Sequence, residues 1–109
     1  MAVSVAHFMG YRVRNGKVYN PRGKPVKIFP QSRKYSPYFC FAIRLKGTRT
    51  NVPVHRLVAF QKFGIRVFKK NIVVRHLNDN RANNTFHNIN IGTSKDNGND
   101  KRINTMRGK

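Results

Sequence analysis

The chain has 109 residues, enough for one domain, and its 39% hydrophobic content can bury a modest core, which excludes a wholly disordered tail. Its 23 lysines and arginines oppose only three acids, giving a formal net charge of +20. Such a field repels copies of itself and attracts polyanions, nucleic acid before an anionic membrane.

The apolar residues come in short runs, with no spanning segment and no basic amphipathic helix of useful length, so a membrane partner is not expected. Cys40 is the single cysteine, which leaves no intramolecular disulfide and no cysteine-based zinc site; it reads as a small buried thiol in a strand. The stretch Met1 to Gly10 is too short, and too soon followed by Arg12 and Arg14, to be a secretory signal. A reducing cytoplasm is the expected compartment.

In chain order, Tyr11 to Arg14 and Lys17 to Tyr19 flank Asn15-Gly16, a two-residue turn that accepts positive φ at both positions, and predict a β-hairpin. Pro21, Gly23, Pro25 and Pro30 then punctuate a basic, loop-rich stretch. From Tyr38 to Lys46 the alternation predicts a strand with Phe39, Phe41, Ile43 and Leu45 on one face and Cys40, Ala42, Arg44 and Lys46 on the other. Gly47-Thr48 turns the chain, and Arg49 to Val52 returns as its partner. After Pro53 the period changes: Leu57, Val58 and Phe60 fit the buried side of a helix from Val54 to Phe63, ended by Gly64. Ile72 to Arg75 and Ile89 to Ile91 read as two further strands. Thr93-Ser94-Lys95-Asp96 looks like a capping box opening a last helix to about residue 103, and residues 105–109 form a tail. The fold class is α+β: an antiparallel β region over residues 1–52, followed by a helix and a ββα unit over 53–104.

One stretch carries chemistry. Ile72-Val73-Val74-Arg75-His76-Leu77-Asn78, Asn83-Asn84, Asn88-Ile89, Gly92-Thr93 and Asn97 fall in that order, after Val54-His55-Arg56-Leu57-Val58-Ala59. This succession resembles the HNH (ββα-metal) endonucleases, specifically the small phage-type members, over roughly residues 52–102. The resemblance implies a metal-dependent enzyme that nicks or cleaves DNA. It further implies a phage or mobile-element origin and action in a bacterial cytoplasm. His76 would be the general base, and the adjacent Arg75 and the positive field favour its neutral form. Asn88 would close the loop between the strands and orient the histidine; an ordinary turn asparagine is the other reading. Asn97 would be a metal ligand on the last helix.

The pattern departs from many relatives at Arg75, where they carry an aspartate ligand. Arg75 could instead take part of the charge on the scissile phosphate. Asp100 lies one helical turn after Asn97 and could join it in holding one divalent ion, Mg2+ or else Mn2+ or another transition metal; it could equally pair with Lys101 or Arg102. Asp79 reads as a turn residue and Asp96 as a cap. His55 reads as structural. Lys17, Arg22, Lys24, Lys27, Arg33, Lys34, Arg44, Lys46 and Arg49 form the expected DNA-binding surface, duplex DNA being the expected partner, with a protein partner or homodimer also open. The competing functional class is an HNH scaffold that binds nucleic acid without cutting it, and a ribosomal-type RNA binder is the third.

Overall fold

The computed structural model describes residues 2–32, 36–78, 80 and 83–93. Asp79, Asp96, Asn97, Asp100, Arg33 and Lys34, together with the expected last helix and tail, lie outside them. The architecture is α+β, with antiparallel strands and a helix that packs against them.

Helix α1 (Ala2–Met9) was not foreseen; its Val3 and Ala6, three apart, fall on one face and are buried. The hairpin follows as expected. Strands β1 (Arg12–Arg14) and β2 (Lys17–Tyr19) pair with Arg14 opposite Lys17, and Asn15 and Gly16 both take positive φ. A short β3 (Pro25–Val26) adds to β2, so the proline-rich stretch supplies an edge.

The second sheet joins β4 (Phe29–Ser32), β5 (Ser36–Leu45) and β6 (Thr48–Pro53). Phe41 and Ile43 are buried on the expected face, and Cys40 is buried and free. The turn sits one residue earlier than expected: Leu45 pairs with Thr48, and Lys46 and Gly47 carry the positive φ. A two-residue turn needs both central positions left-handed, and Lys46-Gly47 supplies them.

Helix α2 (Val54–Phe63) has the expected bounds. Gly64 ends it with φ +65°, its N–H donating to the Phe60 carbonyl. Val54, Leu57, Val58, Ala59 and Phe60 are buried, wider than a single stripe, because α2 is packed by α1, by the second sheet and by the last hairpin. A 3-10 turn (Gly64–Phe68) leads to β7 (Val73–His76), which pairs with β8 (Ile89–Gly92), His76 opposite Ile89. A hydrophobic cluster runs from Val3 and Val18 through Phe41, Val52 and Leu57 to Ile89, so the N-terminal hairpin and the last hairpin share core contacts through α2. Gln61 reinforces this: its amide accepts from the Val13 N–H at 2.7 Å and donates to the Val13 carbonyl at 3.1 Å. None of the described helices is long and apolar enough to cross a membrane.

Candidate active site

His76 closes β7, and alternation along the strand puts its side chain on the face toward α2 while Arg75 leaves on the other. The His76 ring is buried, and its Nε2 lies 2.8 Å from Oδ1 of Asn84, itself buried. An amide oxygen only accepts, so Nε2 carries a proton, which in the neutral ring leaves Nδ1 as the lone-pair nitrogen. Asn84 therefore sets the tautomer, as the partner of a histidine's other nitrogen does in catalytic sites generally. In the sequence the Asn83-Asn84 pair within the motif is the signal for Asn84, and spacing alone gives it no individual role.

Asn88 ties the loop shut. Its Oδ1 accepts from the Asn78 N–H at 3.0 Å, and its Nδ2 donates to the Asn83 carbonyl at 2.8 Å. Its backbone carbonyl receives the Leu77 N–H at 2.9 Å, and its own N–H reaches the Thr85 carbonyl at 3.0 Å. Both ends of the β7–β8 connection thus converge on one buried asparagine. Asn83 adds a local turn, accepting from the Thr85 N–H and hydroxyl. This cradle of asparagines holds Asn84 where His76 meets it.

The other side of His76 is aromatic. His55, in the first turn of α2, has its ring centroid 5.4 Å from that of His76, and Tyr38 of β5 stacks on His55 at 4.5 Å. Tyr38 also approaches His76, at 5.9 Å. The His55 Nδ1 is buried without a hydrogen-bond partner. Burial first, then the positive charge of His76 when it is protonated and that of Arg56, push its pKa from 6.5 down to about 3, so the imidazole stays neutral. A cleft of about 330 Å³ lies alongside, lined by Tyr38, His55, Arg56 and Val74 among others.

Arg75 leaves β7 on the opposite face from His76. Its Nη1 lies 3.5 Å from the Ile91 carbonyl on β8, at the limit of a hydrogen bond. The two candidate ligands Asn97 and Asp100 lie outside the described residues, as do all three aspartates. Among the described residues no three His, Cys, Asp or Glu side chains gather as a metal centre. The donors around His76 are amide and imidazole groups without a carboxylate, so the described part of the site does not by itself fit a hard divalent ion.

Of the expected DNA-binding residues, Lys17, Arg22, Lys24, Lys27, Arg44, Lys46 and Arg49 are all exposed. Arg44 and Arg49 stand directly opposite each other across β5 and β6. Like charges so placed oppose folding, which favours an anionic partner for that face. Arg49 also covers the Phe29 ring at 5.3 Å, beside a hollow of about 340 Å³ lined by Val26, Lys27, Phe29, Ala42 and Arg49.

With this geometry in place, one solved structure is similar: that described as "DNA binding and cleavage by the HNH homing endonuclease I-HmuI". It matches over 90% of this chain with a TM-score of 0.59 and 29% sequence identity. The fold resembles that of an HNH endonuclease. The chain spans 53% of the length of that neighbour. No protein-family model matches the chain, and no curated protein does.

Proposed function

We propose that the chain is an HNH-type DNA endonuclease in which His76 is the general base. The observation that carries this is His76 itself: a buried imidazole at the end of a β-strand, its proton held on Nε2 by Asn84, in a fold that resembles an HNH endonuclease. In this reading Nδ1 takes the proton from the attacking water. Asn84 then stabilises the imidazolium by accepting its Nε2–H, and Asn88 keeps the loop that carries Asn84 closed. Hydrolysis also needs positive charge near the phosphate and the leaving oxygen. Asn97 and Asp100 are the residues proposed to hold a divalent ion, Mg2+ first, and such an ion when bound neutralises that charge. Arg75, on the other face of β7, is proposed to take part of the charge on the scissile phosphate.

Residues 1–52 are proposed as the DNA-binding region, with the described cations from Lys17 to Arg49 and also Arg33 and Lys34 contacting phosphates. Residues 53–104 are proposed as the nuclease unit and 105–109 as a tail. One site cuts one strand, so a monomer nicks and a dimer would break both strands. A phage or mobile element acting in a bacterial cytoplasm is the proposed setting.

The test uses supercoiled plasmid with Mg2+, Mn2+ or EDTA, for the wild type and His76→Ala. Metal-dependent conversion to the nicked circle, abolished in the variant, is expected. A second reading is favoured by Arg75, which stands where many relatives carry an aspartate: a scaffold that binds DNA without cutting it. Plasmid retarded but intact under every condition would establish that reading instead.

A further inference from the structure

The His76 ring is tethered through Cβ and bonded from Nε2 to Asn84, and rings packed beside it restrict its plane further. Two such rings come from outside the ββα hairpin. His55 lies in the first turn of α2, directly after the β6 strand, and Tyr38 comes from β5. With His76 these three rings lie mutually within 6 Å: 4.5 Å for Tyr38–His55, 5.4 Å for His55–His76 and 5.9 Å for Tyr38–His76.

We propose that His55 is a positioning residue for His76: the Tyr38–His55 stack holds the plane of the His76 ring, keeping Nε2 on Asn84 and the lone pair on Nδ1. The chemistry of the stack suits this task. When His76 takes a proton it becomes a cation, and a charged neighbour 5 to 6 Å away would oppose that step. His55 is neutral, its Nδ1 buried and unpartnered, and Tyr38 offers an aromatic face that favours a nearby cation. The stack is therefore rigid toward the neutral ring and permissive toward the protonated one. The support is also well founded mechanically, since His55 sits between the fully buried Val54 and the arginine that precedes fully buried Leu57.

The catalytic part of this inference rests on the nuclease reading of His76, so its first test does not use cleavage. Long-range 1H–15N correlation spectra of the full chain at neutral pH report the tautomer of each histidine. In the wild type and in His55→Phe, which keeps an aromatic ring, the His76 signals should show a single Nε2–H tautomer. In His55→Ala they should move toward the averaged shifts of an exchanging ring. Should His55→Ala fail to fold, Tyr38→Leu opens the stack from its other side and should give the same averaging. In the plasmid assay, His55→Ala should lower kcat about tenfold to a hundredfold at unchanged KM, as misaiming a base does, with His55→Phe restoring most of the loss. A single His76 tautomer in both His55→Ala and Tyr38→Leu would overturn the proposal. So would a His55→Phe as averaged and as slow as His55→Ala. A wild type that never nicks DNA would refute the nuclease reading, and the spectra would still decide the stack.

Discussion

The most quantitative consequence of the site lies in the acid limb of the protein's stability. The unfolded chain protonates His55 near 6.5, whereas the folded chain does so only near 3, because burial and the neighbouring His76 and Arg56 charges disfavour the cation. Between those values the unfolded state holds more protons, so stability is intact above pH 6.5 and falls as the pH drops. For this one residue the loss is about 2 kcal/mol at pH 5, rising toward about 5 kcal/mol below pH 3. In a domain of this size about 2 kcal/mol corresponds to a fall in Tm of about 8–16 °C. Replacing His55 by Phe removes the titrating group and keeps a ring in the stack. Thermal melts of both proteins at pH 7.5 and pH 5 give the difference directly, since the smaller acid sensitivity of His7, lowered by burial and Arg12, is common to both. The wild type should lose markedly more stability on acidification than His55→Phe. If the two Tm values move down in parallel, His55 accepts its proton without cost, and the picture of a neutral ring stack is wrong.

Asn84→Ala should leave the buried His76 Nε2–H without its acceptor, costing about 1–3 kcal/mol in urea denaturation and slowing nicking as well; a variant as stable as wild type would refute the assigned bond. Gln61→Ala should cost a similar about 1–3 kcal/mol, because both Val13 backbone groups lose their partner at the joint between β1 and α2. Replacing both Arg44 and Arg49 by Ser should reduce the slope of log K for DNA against log salt by about 2 while leaving the fold no less stable. An unchanged slope would remove that face from the DNA interface. Asp100→Ala should weaken the Mg2+ or Mn2+ dependence of nicking, and an unaltered metal titration would dismiss Asp100 as a ligand.

Much of the fold was legible because its signals are local. Asn15-Gly16 specifies a tight hairpin through backbone geometry alone, and Gly64 stops α2 where its positive φ is needed. The alternation from Phe39 to Leu45 survives because one face of β5 is buried. Helix α1 escaped notice because eight residues are too few for a periodic pattern to stand out, and its docking depends on α2, far along the chain. In the site, the order of His76 and Asn88 was readable as spacing. The pairing of His76 with Asn84 was not, since which of several loop asparagines turns inward is decided by the bonds Asn83 and Asn88 make. From sequence His55 reads as structural for a similar reason: nothing local shows that the start of α2 faces the end of β7, 21 positions later.

The described cations include several that are already engaged by the protein's own backbone. Lys62 donates to the carbonyls of Phe86 at 3.0 Å and Ile89 at 2.9 Å, and Arg12 donates to those of His7 and Tyr11, each at 2.7 Å. Carbonyl dipoles thereby do work that glutamates would do in a chain of ordinary composition. These short-range clasps feel ionic strength far less than contacts across a Debye length. A brine strong enough to strip polyanion from the surface should therefore leave the body of the protein standing, with α2 still anchored to the turn before β8.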